Sequence, residues 1–180
     1  MMMTGDYETL DVGCGTFPSG SVNCDLFIRD IGHRTADANH PSGDPDRYEF
    51  MLNPKKIKNF VLCDGQYLPF KDEVFELVTA IGVIEHIDDP QLLLKELCRV
   101  SKFKVLVKCP HRLGERFAKR DYGLHRQFLN ATWFARAIKA LGFSGRIEVS
   151  KYHHFPSDFF SVFRLPVELT VEVYKTGGAL

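Results

Sequence analysis

The stretch FELVTAIGVI, residues 75–84, constrains this chain more than any other. It is nearly continuously apolar, yet far shorter than the ~20 residues a membrane helix needs. A strand wet on one face alternates polar and apolar positions, whereas a strand covered on both faces does not. Residues 75–84 therefore belong inside a parallel sheet with helices on both sides, and the rest of the chain should alternate strands and helices. Tyr7 to Val12 reads as a strand running into Gly13-Cys14-Gly15. Ser21 to Leu26 and Asn59 to Cys63 read as two more strands. The polar residues 30–58, with Pro41, Gly43, Pro45 and Pro54, read as loop with one short helix. Asp88-Asp89-Pro90 starts a helix, with an acidic cap and proline in the first turn. Leu93, Leu97 and Val100 follow at helical spacing. Phe103 to Cys109 is a strand stopped by Pro110. Asn130 to Leu141 is a helix that presents Phe134, Ala137, Ile138 and Leu141 on one face and stops at Gly142. Arg146 to Tyr152 and Val167 to Tyr174 are closing strands. The pattern is α/β.

At 180 residues the chain is read as one domain, 1–180. Lys plus Arg and Asp plus Glu both number 23, so net charge argues for no class of partner. The five cysteines, Cys14, Cys24, Cys63, Cys98 and Cys109, form no C-x-x-C pair. An odd, widely spaced set fits reduced thiols, and no metal site is expected. The N-terminus lacks the basic and apolar regions of a signal peptide, and no apolar run is long enough to span a bilayer. The expectation is a cytoplasmic protein with no membrane partner.

In open α/β sheets, ligands bind beyond the carboxyl ends of the strands. Glycines at Gly13 and Gly15 let a backbone approach a ligand closely, or simply make a tight turn. The third glycine of the dinucleotide fingerprint is absent, with Pro18 in its place, which disfavours a nicotinamide or flavin enzyme. Asp25 ends the second strand, where a carboxylate can accept ribose hydroxyls or stand as a surface residue. Asp64 ends the third, in Cys63-Asp64-Gly65-Gln66, where a carboxylate can accept an adenine amino hydrogen and the following N–H groups can face the ring.

LDVGCG (10–15), CDGQYLPFKDEVFELVTAIGVIEHIDDP (63–90) and LHRQFLNATWFARAIKALGF (124–143) resemble the class I S-adenosylmethionine-dependent methyltransferases over roughly residues 7 to 145. The resemblance implies a Rossmann-like, doubly wound, mostly parallel sheet with an antiparallel closing strand, and S-adenosyl-L-methionine as cofactor. It implies that Asp11, Gly13, Cys14 and Gly15 cradle the methionine part. Asp25, with Leu26, would hold ribose. Asp64, Gly65 and Gln66 would hold adenine, and Ile81 and Gly82 would lie under the methionyl amino group. Glu85-His86 corresponds to a pair near the mouth of the active site. Two departures stand out. Only Thr16 to Gly20 separate the glycine turn from the second strand, a shortened first crossover where a dozen or more residues are usual. Pro18, Gly20, Asn23 and Asp25 match a G-C-G-x-x-P…G-x-x-N-x-D shape seen in shortened relatives. The chain also starts almost at the first strand, without the helices that many relatives place over the site.

Methyl transfer from a sulfonium is one displacement, so the protein mainly positions the reactants. A general base helps only an acceptor that carries a proton. His86 is the candidate base, followed by His111 and His125, with Asp121 and Tyr122 nearby in sequence. The plainer reading of each histidine is a loop or cap residue, and His153 and His154 read as strand-end residues. Residues 99–126 carry nine Lys or Arg against Glu115 and Asp121. That segment is either a solvated loop or a basic overhang suited to a small anionic acceptor or to nucleic acid, and an open site also suits a protein acceptor. Phe155 to Leu180 either completes the sheet or forms the face of a homodimer. The alternative to an enzyme is a non-catalytic relative that binds cofactor or a partner.

Overall fold

A computed structural model describes residues 7–15, 17–26, 54–113, 125–152 and 165–175. Among these residues seven strands form one sheet: β1 (Tyr7–Val12), β2 (Val22–Asp25), β3 (Phe60–Leu62), β4 (Phe75–Ile81), β5 (Ser101–Pro110), β6 (Ser144–Tyr152) and β7 (Leu165–Tyr174). Their spatial order is β3-β2-β1-β4-β5-β7-β6. The pairings β3–β2, β2–β1, β1–β4 and β4–β5 are parallel. β7 is antiparallel to both β5 and β6. This is the Rossmann-like, doubly wound sheet with an antiparallel closing strand that the family resemblance implies.

The central position of β4 explains its composition. Phe75, Val78, Thr79 and Ala80 are all buried, and Thr79 satisfies its hydroxyl by donating across to β1. The strand ends at Ile81, three residues earlier than hydrophobicity predicts, because Gly82 turns the chain at φ +68° and Ile84–His86 make a single 3-10 turn. β5 in turn runs through Pro110 rather than stopping before it. Proline keeps its carbonyl and needs only the extended backbone, and Pro110 stands opposite Glu168 of β7 at the strand's end.

Helix α1 (Pro90–Val100) begins as its sequence dictates: the Asp89 carboxylate accepts from the N–H groups of Gln91 and Leu92, and Pro90 opens the first turn. Its face of Leu93, Leu94, Leu97, Cys98 and Val100 is sealed in the core, and Ser101 leads straight into β5. Arg99 leaves the helix end to bracket the approach to β4. Its guanidinium donates to the carbonyls of Leu68 and Phe70, to Asp72 and to both oxygens of Glu96, over 2.7–2.9 Å. Helix α2 (Ala131–Ala140) is capped by Asn130, which accepts from Trp133 N–H. It ends where Gly142 (φ +79°) donates to Lys139 and Phe143 to Ile138, the paired bonds of a Schellman stop. Among the described residues no helix is long and apolar enough to cross a membrane.

The first crossover is as short as the sequence implies: β1 ends at Val12 and its parallel neighbour β2 begins at Val22. Polar clamps stand where a helix would otherwise pack. Asn23, 1% exposed, accepts from Gly20 N–H (2.9 Å) and donates to the carbonyls of Gly20 (3.0 Å) and Lys58 (2.8 Å). The Ser21 hydroxyl accepts from Thr9 N–H and donates to Thr9 C=O. Gly20 packs so tightly that a Cβ would fall 2.3 Å from the Val22 carbonyl oxygen and 2.8 Å from Asp11 nitrogen.

Candidate functional site

All five parallel strands end on one edge of the sheet, and β1 lies between β2 and β4, where the winding reverses. A crevice forms outside such a point. The turns that follow β1, β2, β3 and β4 place Gly13–Gly15, Asp25–Leu26, Asp64–Gln66 and Ile81–Gly82 along this edge.

Asp11 is 5% exposed and its carboxylate is engaged on both oxygens. Oδ2 accepts from the N–H and hydroxyl of Ser19, each at 2.9 Å, and Oδ1 from the Thr79 hydroxyl at 3.0 Å. Asp11 thus holds the crossover and β4 against the glycine turn. Gly13 and Cys14 both donate to the Cys24 carbonyl, which ties that turn to β2. Gly13 (φ +69°) has no room for a side chain, because a Cβ would fall 2.3 Å from a Val83 methyl. Gly15 (φ +50°) is the opposite case: among the described residues a Cβ there meets nothing within 4 Å. Its N–H donates to Asp25 Oδ2 at 3.0 Å.

Asp64 forms an Asx turn, Oδ1 accepting from Gln66 N–H at 2.8 Å. The Gln66 amide reaches back to Asp64 at 3.4 Å and accepts from Asp89 N–H at 3.1 Å, joining this segment to the start of α1. Gly65 is glycine for packing: a Cβ would meet Leu93 at 2.9 Å and Val12 at 3.1 Å. Leu26 (45% exposed) and Ile81 (51%) are apolar side chains left open at the ends of β2 and β4.

The cysteines near the crevice are not equivalent. Burial, with Asp25 and Asp11 nearby, pushes the Cys14 thiol up to about 12, so it stays protonated. A hydrogen bond between Cys24 and Cys63, together with burial, raises Cys24; the same bond lowers Cys63, which is only half-buried.

The candidate histidines separate. His86 and His125 come together, ring centroids 4.7 Å apart and nearly perpendicular. Glu85, 4% exposed, stands with them. The segment carrying His125 is fastened here. Arg126 and Gln127 N–H both donate to the Glu85 carbonyl (2.8 and 3.0 Å), the Gln127 amide donates to the carbonyls of Ile87 and Asp88, and Arg126 pairs with Asp88. His111, at the end of β5, is 8% exposed and its Nδ1 accepts from Leu113 N–H. Burial, then the Arg112 charge, holds its pKa below the usual imidazole value. Asp121, Tyr122, His153 and His154 lie outside the described residues, as do most of 30–58 and the basic residues Arg116, Lys119 and Arg120. Of the remaining cations in that basic stretch, Arg99 pairs with Glu96 and Asp72, Lys104 with Glu172 and Arg126 with Asp88.

Sequence reasoning missed the supports of the site: Ser19 and Thr79 under Asp11, and Val83 against Gly13. No local pattern marks a serine or threonine as the partner of a distant carboxylate. Glu85 and His86 are adjacent in sequence, but their meeting with His125 depends on tertiary hydrogen bonds.

The profile of the methyltransferase domain family matches residues 10–104. A curated relative, the demethylmenaquinone methyltransferase of Streptomyces griseus subsp. griseus, is 34% identical over 86 residues, 42% of this chain. The alignment takes in 37% of that relative's own length. Among solved structures, a methyltransferase dependent on S-adenosylmethionine from Archaeoglobus fulgidus superposes with a TM-score of 0.62 at 15% identity, covering 95% of this chain and 87% of that one. Another from Thermotoga maritima gives 0.59 at 18% identity, covering 97% and 84%.

Proposed function

The chain belongs to the methyltransferase domain family, and on that premise we propose that it transfers a methyl group from S-adenosyl-L-methionine to an acceptor held at the carboxyl edge of β4. The observation that carries this reading is Gly15: a positive-φ turn at the reversal point, hydrogen-bonded to Asp25, where a Cβ would meet nothing within 4 Å among the described residues. That is room for a ligand next to a carboxylate. Gly13 and Gly15 would pass the methionine part, Asp25 would take ribose hydroxyls, and Asp64, Gly65 and Gln66 would take adenine, with the Gln66 N–H holding the Asp64 carboxylate in place. Leu26 and Ile81 gain a reason for their exposure, since a bound nucleoside and its chain would cover them.

When bound, the cofactor supplies an electrophilic methyl carbon on a positive sulfur. The chain's own contribution is placement. Asp11 fixes the glycine turn through Ser19 and Thr79, and the 3-10 turn at Ile84–His86 sets the acceptor end. For an acceptor that carries a proton, His86 is the group to draw it away. The basic stretch 99–126, of which Arg99, Lys104 and Arg126 are paired with acids of the fold, is in keeping with a small anionic molecule or a nucleic acid as acceptor, and an open site with a protein.

Calorimetric titration with S-adenosylhomocysteine tests the reading. We expect a one-to-one isotherm in the wild type. Asp64→Ala should weaken it by about 1–3 kcal/mol, roughly 5- to 150-fold, for the lost hydrogen bond in a partly closed site. No heat at millimolar ligand would defeat the reading.

A further inference from the structure

We infer that Glu85, His86 and His125 form a divalent-cation site, resting on the reading of the crevice as a methyl-transfer site and naming its acceptor class. One ligand atom from each residue lies within 4.8 Å of the other two. Two imidazoles and one carboxylate are the donor set of catalytic zinc and related ions, and leave coordination positions open for a substrate. Donors bonded to one zinc stand about 3.3–4 Å apart, so small side-chain rotations close the set.

Three features favour a built site over chance proximity. The Glu85 residue is 4% exposed, so an ion bound to its carboxylate would be little screened by water. Its Oε1 would stand 3.8 Å from a Cβ on Gly82, so the acid lies beneath the turn that ends β4, at the crevice itself. The third ligand is preset across a long sequence gap: two backbone N–H groups of residues 126 and 127 converge on the Glu85 carbonyl, and Gln127 holds the carbonyls of Ile87 and Asp88. These contacts fix the backbone on both sides of His86 and immediately after His125. Ligands held this way need little reorganisation when an ion arrives.

A cation here selects an acceptor with a hydroxyl oxygen able to enter its open positions, and it takes over the task that His86 would have alone. The hydroxyl of the acceptor, acidified on the ion, gives its proton to solvent. Its oxygen forms the new bond to the methyl carbon, the carbon–sulfur bond breaks, and the electron pair stays on sulfur as a neutral thioether.

The test uses chelator-stripped protein titrated with zinc chloride alone, and with cobalt chloride read by visible absorption. One equivalent should bind, with a cobalt spectrum free of thiolate charge-transfer bands, which sets this site apart from the five cysteines. His125→Ala should weaken binding at least about 100-fold while S-adenosylhomocysteine still binds. Should buried Glu85→Gln fail to fold, His125→Ala and His86→Asn still decide the matter. Absence of one-equivalent binding, or equal affinity in the wild type and His125→Ala, overturns the site. Loss of S-adenosylhomocysteine binding in the wild type, with the zinc isotherm intact, defeats the methyl-transfer reading and leaves the cation site standing.

Discussion

Two connections in the sheet, β1 to β2 and β4 to β5, reach the same parallel pairing by different physics. Between β4 and β5 the connection is a helix, and α1 seals five side chains against the sheet. Between β1 and β2 the connection spans residues 13–21, and side-chain hydrogen bonds from Asp11, Ser21 and Asn23 hold it. Apolar burial is non-directional and tolerates small shifts, whereas a hydrogen-bond clamp holds only at its own geometry. A parallel crossover can therefore fall below its customary length when polar side chains satisfy the backbone groups that a helix would have satisfied internally.

Three substitutions would break or sharpen that contrast. Leu97→Ala, at a fully buried position of α1, should cost about 2–5 kcal/mol in urea unfolding, the transfer term plus a cavity. Asn23→Ala strands the partners of three hydrogen bonds and should cost about 1–3 kcal/mol. A loss below about 0.5 kcal/mol would mean the clamp is ornamental and the contrast empty. The smallest effect lies at the end of β5. His111 is buried with a lowered pKa, so the unfolded chain binds its proton more readily than the folded one. Stability should be full above the unfolded value of about 6.5 and fall as pH drops from there toward the lowered folded value. His111→Gln should flatten that part of a urea-midpoint-against-pH curve, and an unchanged curve would refute the assignment.

What the sequence revealed follows the same division. β4 and the start of α1 were legible because burial on both faces and the cap at Asp89-Pro90 are local signals, and β1 because it runs into the glycine turn at Gly13-Cys14-Gly15. Asn130 and Gly142 marked the ends of α2 for the same reason. Ends that depend on neighbours were misjudged: β4 turns at Gly82, and β5 continues through Pro110 because β7 lies alongside. Arg99 counted as one charge of a basic stretch, while in the fold it is a five-bonded bracket on the approach to β4. The strand-end residues Gly13, Asp25, Asp64 and Gly82 could be placed on one edge from topology alone. That His125 belongs beside His86 while His111 is held separately at the end of β5 could not be read, since tertiary hydrogen bonds decide it.

The methyl of Val83 fills the space where Gly13 has no side chain. It acts as a mechanical stop between the turn after β1 and the turn that leads to Glu85 and His86. The spacing between the two halves of the crevice is thus gauged by the bulk of a single methyl group, a quantity indifferent to pH and salt. A bulkier or smaller residue at position 83 would reset that spacing without touching any polar group, so the reach of the site can be retuned through an uncharged residue that takes no part in the chemistry.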